Sequence, residues 1–244
     1  MLSLSVAGYV CSVTTRAPVP DGKTYEALIF DWDGTLVDSS SVCFDALARA
    51  MADAGVKLDP DWYWPRQAIA SPDMLIVWEQ EFGLLPEPID EIIRRCRMYV
   101  QAAAPDLRVI EEIAEVARAA RRRGQRLGVG SNSSAGVVIA GLRATGLDAL
   151  FDVVVTWSDV PQGRGKPEPD IFLLVAQRLG ADPARCLVYE DAEVGVTAAL
   201  SAGMAAYNVQ TGILSGPARK SFGGYAARAG AAGWLSQPGG CWGF

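Results

Sequence analysis

The sequence predicts an α/β fold: a parallel sheet covered on both faces by helices, with a small all-α domain inserted after the first strand. Three observations carry this. Short apolar runs, bounded by polar residues or glycine, recur at 27–30, 126–130, 153–155, 186–189 and 205–209, as expected of strands buried on both faces. Segments with apolar residues at helical spacing alternate with these runs, and such alternation implies parallel pairing through crossover helices. Between the first and second runs, residues 40–105 show helical patterns and no clear strand.

Taken in order, the chain opens with 1–22, mildly apolar at its start but with no basic residue ahead of it. That pattern makes a poor secretory signal, so 1–22 is expected to be a disordered leader. The strand Ala27-Leu28-Ile29-Phe30 follows, running into Asp31-Trp32-Asp33-Gly34-Thr35-Leu36-Val37-Asp38-Ser39. Helical spacing over 42–54 stops at Gly55, and 59–65 is a turn-rich aromatic patch. Helical patterns resume at 74–82 and 89–103, punctuated by Gly83, Pro86, Pro88 and Pro105. An amphipathic helix at 109–123 has a basic last turn and ends at Gly124. Three further helices, at 135–145, 170–179 and 194–202, are each closed by a glycine, namely Gly146, Gly180 and Gly203. Past Val209 the signals fade, and the Gly-, Ala- and Ser-rich residues 212–244 read as loose. The expected domains are a core at 23–39 and 106–222, a helical insertion at 40–105 and a tail at 223–244.

The 244 residues suffice for one large domain, or a domain with an insertion. Half are hydrophobic and a fifth charged, consistent with a substantial core. The net charge of -6 argues against nucleic acid or an anionic membrane as the main partner, and no segment has the length to span a bilayer. The basic residues are 18 Arg and 4 Lys, which makes each lysine worth locating. Histidine is absent, which removes histidine bases, nucleophile relays and histidine-rich metal sites. The five cysteines are odd in number and far apart, so they read as reduced thiols of a cytoplasmic protein.

Chemistry-bearing residues gather just past the strand ends, where ligands sit in open α/β sheets. After the first strand come Asp31 and Asp33; side chains two apart on extended chain point the same way, and two such anions repel unless a cation or a proton intervenes. On these residues alone a polar turn is the competing reading. The second strand leads into Ser131-Asn132-Ser133-Ser134 at a helix start, where free N–H groups and the dipole suit phosphate; a plain helix cap is the alternative. Lys166 lies in Gly163-Arg164-Gly165-Lys166-Pro167-Glu168-Pro169-Asp170, a loop constrained by glycine and proline. It is either a fixed ammonium facing anions or a solvated loop lysine. Glu190-Asp191-Ala192 follows the 186–189 run, again with helix capping as the plain reading. Together these groups would hold a hard cation between carboxylates with one face open to phosphate oxygens, and Mg²⁺ fits best.

With these residues in place, the chain resembles the phosphohydrolases of the haloacid dehalogenase (HAD) superfamily over about residues 25–210. Asp31-Trp32-Asp33-Gly34-Thr35 matches the first motif and Ser131-Asn132 the second. Lys166-Pro167 matches the third, and Glu190-Asp191-Ala192 with Gly195 the fourth. The resemblance implies a Rossmann-like parallel-sheet core, with 40–105 as a helical cap. The fourth motif and the Lys-Pro-Glu-Pro-Asp stretch resemble most the beta-phosphoglucomutase and sugar-phosphatase branch. The implied roles are Asp31 as nucleophile and Asp33 as general acid and base. Ser131 and the Asn132 backbone would hold the phosphoryl oxygens, and Lys166 would offset charge. Mg²⁺ would lie on Asp31, the Asp33 carbonyl, Glu190 and Asp191.

Because the superfamily's dehalogenases and phosphonate-cleaving members lack an acid at the Asp33 position, the resemblance favours phosphate esters. The implied activity is a Mg²⁺-dependent phosphatase of small phosphorylated metabolites, sugar phosphates foremost. A phosphomutase and a non-catalytic binding protein keeping the fold are the alternatives. Against the mutase, Cys43 stands where that branch carries histidine and Ser134 where it carries lysine, and no cap-loop glycine occurs in 67–72. Trp62, Tyr63, Trp64 and Trp78 form either a substrate wall or the core of the cap. Arg66 is either an anchor for an anionic substrate or a surface charge.

Overall fold

In the computed structural model, residues 19–67 and 71–216 are described. The expected tail 223–244, most of the expected leader, and positions 68–70 of the 67–72 segment lie outside these residues. The first strand, β1 (Ala27–Phe30), is followed by a two-residue strand, β2 (Val37–Asp38). Four helices come next: α1 (Ser40–Asp53), α2 (Pro60–Tyr63), α3 (Ser71–Phe82) and α4 (Ile89–Ala102). The chain then runs through β3 (Arg108–Val109), α5 (Glu111–Arg122), β4 (Arg126–Ser131), α6 (Ala135–Ala144) and β5 (Val153–Thr156). It closes with α7 (Asp170–Leu179), β6 (Cys186–Glu190), α8 (Glu193–Ser201), β7 (Ala205–Asn208) and β8 (Ile213–Ser215).

The main sheet has the order β5-β4-β1-β6-β7-β8, parallel throughout except for β8. β1 therefore lies between β4 and β6, with Phe30 paired to Val129 on one side and Tyr189 on the other. Alternation along β1 splits its side chains between two cores. Leu28 and Phe30 join Leu127, Val129 and Tyr189 against α5 and α6, whereas Ala27 and Ile29 join Val155 and Val188 against α7 and α8. All four β1 residues are fully buried, which is why the run carries no polar alternation.

Helices α1 to α4 share a separate apolar cluster that includes Leu47, Met51, Leu75, Ile92 and Cys96. The chain enters this region past β2 and leaves it into β3, and these two strands pair antiparallel, Val37 with Val109. An Ile110 N–H to Leu36 C=O bond of 2.9 Å extends the pairing. Helix α4 also meets α6, where Gln101 lies so close to Gly136 that a Cβ there would overlap its amide.

Two stretches differ from the sequence reading. Residues 213–215 form an antiparallel edge strand, not loose chain. Ile213 and Leu214 are both exposed, so no burial pattern marked this strand in the sequence. At the other end, Val19 packs on the β1 core and the Tyr189 hydroxyl donates to the Pro20 carbonyl at 2.5 Å. Arg123 adds a bond to the Asp21 carbonyl at 2.8 Å. The last residues of the expected leader thus belong to the packed core.

Candidate active site

The central position of β1 decides where the chemistry lies. Asp31 continues the strand by one residue, its N–H donating to the Tyr189 carbonyl at 2.9 Å. Its carboxylate therefore emerges between the ends of β4 and β6, which deliver Ser131 and Glu190. Lys166 reaches the same point from the loop ahead of α7. Its ammonium donates to Asp31 Oδ1 at 2.5 Å and to Glu190 Oε2 at 2.7 Å, and all three side chains are almost fully buried. The apolar wall behind the ammonium is Phe172, 4.7 Å from its ring centre. The outer side of the lysine loop is tied down by Arg164, which bonds Glu168 at 3.1 Å and Asp170 at 2.9 Å. The Lys166–Pro167 peptide is cis.

Three acids crowd one ammonium. Asp31, Glu190 and Asp191 each bring a carboxylate oxygen within 4.8 Å of the others. Like charges at that spacing repel by about 3 kcal/mol per pair at an effective dielectric near 20. Burial raises the pKa of Asp31, the Glu190 charge raises it further, and Lys166 pulls the other way. Burial likewise raises Glu190, against the pull of Lys166. Asp191 is pushed up to about 6, by burial first and by Asp31 second. Burial works against the charged form of Lys166, yet Asp31 and Glu190 outweigh it and leave its pKa raised. One cation thus faces three acids, and all their donor atoms are oxygen, the set a hard divalent ion takes. Asp31, Glu190 and Asp191 could hold Mg²⁺.

Two glycines make the crowding possible. A Cβ on Gly34, whose φ is +78°, would overlap the Asp191 carboxylate, and one on Gly195 would overlap Glu190. That gives Gly34 and Gly195 steric reasons for being glycine, beyond turn-making.

Asp33 serves different partners. Its Oδ1 accepts from the Ser39 hydroxyl and its Oδ2 from the Ser133 hydroxyl, both at 2.6 Å. Its charge helps to raise the pKa of Asp31, but its carboxylate is not part of the three-acid cluster. Of the hydroxyls after β4, Ser131 is buried and its Oγ accepts from the Ser133 N–H at 2.9 Å. The N-cap of α6 is Ser134, with no side-chain cap bond, so Ser131 and Ser133 are not its caps. The Asn132 side chain turns toward the lysine loop and bonds the backbone of Lys166. Sequence reasoning missed Ser39 as an Asp33 partner. It sits at the N-cap of α1, a place where serine has an ordinary explanation, but it makes no cap bond there.

The residues read as a substrate wall divide. Tyr63 is buried in the helical cluster, with Trp62 and Trp78 packed against it. Trp64 is 38% exposed and stacks on Phe44 at 5.2 Å. Arg66 is engaged locally: it bonds the Trp62 carbonyl at 2.9 Å and Glu81 at 3.1 Å, and lies over the Trp62 ring. It is not poised as an anion anchor. Cys43, on α1, faces Asp33. Burial and then the Asp33 charge push its thiol up to about 12, so it stays neutral.

Comparison with known proteins adds a family and its relatives. The haloacid dehalogenase-like hydrolase family matches residues 25–203. Fructose-1-phosphate phosphatase YqaB of Escherichia coli is 31% identical over 199 residues, which is 77% of this chain and 98% of that protein. The phosphorylated carbohydrates phosphatase of Thermotoga maritima is 27% identical over 182 residues, 73% of this chain and 82% of that one. The crystal structure of a CbbY mutant from Rhodobacter sphaeroides with xylulose-(1,5)bisphosphate is 27% identical. It aligns with a TM-score of 0.66 and covers 75% of this chain and 84% of that chain.

Two outcomes follow from the charge arrangement. Replacing Lys166 by Met leaves Asp31 and Glu190 buried without their cation, and this is expected to destabilise the metal-free protein by about 3–5 kcal/mol at neutral pH. Urea unfolding measures it, and a loss below about 1 kcal/mol contradicts the buried-pair account. The second outcome concerns Asp191, whose pKa is higher folded than unfolded. The stability linked to its proton is present below its unfolded pKa and lost as pH rises through about 6. The Tm of metal-free protein is therefore expected to fall over that window, with Asp191→Asn flattening the fall; identical profiles for the two proteins contradict the assignment.

Proposed function

Since the chain belongs to the haloacid dehalogenase-like hydrolase family, we propose that it is a Mg²⁺-dependent phosphatase of small phosphorylated metabolites, sugar phosphates foremost. The observation that carries this reading is the contact of Lys166 with both Asp31 and Glu190 at the ends of β1 and β6. It supports reading Asp31 as nucleophile, Lys166 as counter-charge and Glu190 as a metal-binding acid, since the three side chains meet at one buried point. The named activities of the Escherichia coli and Thermotoga maritima relatives support the ester class, and the bisphosphate bound by the CbbY mutant supports a sugar.

In this reading Asp31 attacks phosphorus and becomes an aspartyl-phosphate. Lys166 on Oδ1 keeps the carboxylate from rotating away and offsets the charge that builds on the phosphoryl oxygens. Ser131 and the backbone N–H groups at the start of α6 receive those oxygens. Asp33, aimed by Ser39 and Ser133, gives a proton to the leaving alcohol, then takes one from the water that hydrolyses the aspartyl-phosphate. Mg²⁺ on Asp31, Glu190, Asp191 and the Asp33 carbonyl would supply charge neutralisation between phosphate and nucleophile. Catalysis of this type rests on positioning and electrostatics, and the strand ends supply both.

Hydrolysis is favoured over phosphoryl shift by what lines the approach. A mutase must hold two phosphates of one molecule. Cys43 is a neutral thiol, Ser134 is uncharged, and Arg66 is bound to Glu81, so these positions give a second phosphate no cation. The helical region α1–α4 acts as the cap that selects substrate, with the exposed Trp64 as its apolar contact. The free thiols of the half-buried Cys43 and the buried Cys96 fit a reducing, cytoplasmic setting. Among the described residues no helix is long and apolar enough to cross a membrane.

Phosphate release from a panel of sugar phosphates with Mg²⁺ tests the proposal. Asp31→Asn is expected to lower kcat by about 10³-fold or more, because nucleophilic attack is lost, and chelation is expected to stop turnover. Undiminished release in that variant contradicts the mechanism. Isomer formation driven by a bisphosphate primer without phosphate release marks the mutase. Metal binding with no turnover across the panel marks a binding protein.

A further inference from the structure

We infer that the side chain of Asn132, apart from any role of its backbone, is the positioning element that sets the Lys166 ammonium against Asp31. Its kinetic consequence rests on the phosphatase reading, but the geometry stands without it.

A lysine side chain turns about four single bonds and loses much rotamer freedom when its ammonium is fixed. Holding its ammonium 2.5 Å from one carboxylate and 2.7 Å from another requires a backbone that does not drift. The loop's own bonds, Arg164 N–H to Pro161 C=O at 3.0 Å and Glu168 N–H to Gly165 C=O at 2.9 Å, give it shape but do not place it against the sheet. Asn132 does. Its Oδ1 accepts from the Lys166 N–H at 2.8 Å and its Nδ2 donates to the Lys166 carbonyl at 3.1 Å. One amide thereby engages both backbone groups of the residue that carries the ammonium. It pairs with Lys166 as a neighbouring strand would, across 34 residues of chain. Only an amide offers a donor and an acceptor in that geometry.

Gly165 is an independent sign of the same contact. A Cβ on it would stand 2.8 Å from Asn132 Oδ1, closer than real side chains approach. Its φ is outside the left-handed region, so the backbone does not itself require glycine there. Glycine at 165 makes room for the amide. Asn132 also follows Ser131 directly, so the residues that receive the phosphoryl group and the loop that brings its counter-charge become one rigid unit. A misplacement of about 1 Å at such a site costs on the order of 10²-fold in rate.

The test compares wild type, Asn132→Ala, Gly165→Ala and the double variant, using a chromogenic phosphate ester with Mg²⁺. It adds hydrogen exchange at the Lys166 amide of the full chain. Asn132→Ala is expected to lower kcat by about 10- to 100-fold while KM moves less than about 3-fold, and to speed Lys166 amide exchange by about 10-fold or more. Gly165→Ala is expected to cost rate in wild type and nothing in the Asn132→Ala background, because the obstructing oxygen has gone. If Asn132→Ala does not fold, Asn132→Asp keeps the acceptor and loses the donor, and an intermediate kcat with Lys166 exchange near wild type is expected. The inference is overturned by kcat within about 2-fold of wild type in Asn132→Ala or in Asn132→Asp, by multiplying costs in the double variant, or by unchanged Lys166 exchange in Asn132→Ala. A wild type with no turnover on any ester defeats the phosphatase reading instead, and the exchange measurement alone then decides the role of Asn132.

Discussion

The structure depends on one buried ammonium. Lys166 satisfies Asp31 and Glu190 together, and without it two almost fully buried acids from adjacent strands would face each other. Its own burial is unfavourable, and only the two carboxylates reverse that. The balance is incomplete: Asp191 remains as a further acid, and the three carboxylates together could hold a divalent cation. A site satisfied internally would have little affinity for metal or phosphate.

That arrangement follows from sheet order more than from any single motif. Because β1 is central, its end is flanked by those of β4 and β6, and residues about 100 and 160 positions away arrive as immediate neighbours. The crossover helices do the rest. Helix α7 carries Phe172 behind the lysine, while α6 begins just after the Ser131 and Ser133 hydroxyls. Ser39 lies where the helical region joins the core, so the hydrogen bonds of Asp33 come from both parts of the molecule.

Much of this was legible in the sequence, for physical reasons that can be named. The run 27–30 reads as a doubly buried strand because it lacks alternation, and its four residues are fully buried. Asp31, Lys166, Glu190 and Asp191 were singled out because each follows a strand or a constrained loop, and the structure brings them together. What stayed hidden was pairwise. Nothing in the sequence says that Ser39 and Ser133 spend their hydroxyls on Asp33 and not on helix caps. Nor does it say that Asn132 turns its side chain to the lysine loop. Local propensity explains serine and asparagine at helix starts well enough to mask a second use. The edge strand at 213–215 was missed for the opposite reason, since its exposed residues leave no periodicity to detect. Arg66 shows the limit of charge as a signal: a lone arginine near aromatic residues proved to be bound to Glu81 and stacked on Trp62.

The bond between Tyr189 and Pro20 bears on how the protein can be shortened. Tyr189 immediately precedes Glu190, and its ring stacks on Phe30 with centroids 4.8 Å apart. The phenol of this residue is anchored by a carbonyl from a stretch that looks dispensable in the sequence. Trimming the polypeptide beyond Asp21, an attractive boundary for crystallisation, would strip a buried hydroxyl of its acceptor. The penalty is about 1–3 kcal/mol, levied one residue from the Glu190 carboxylate that holds the Lys166 ammonium.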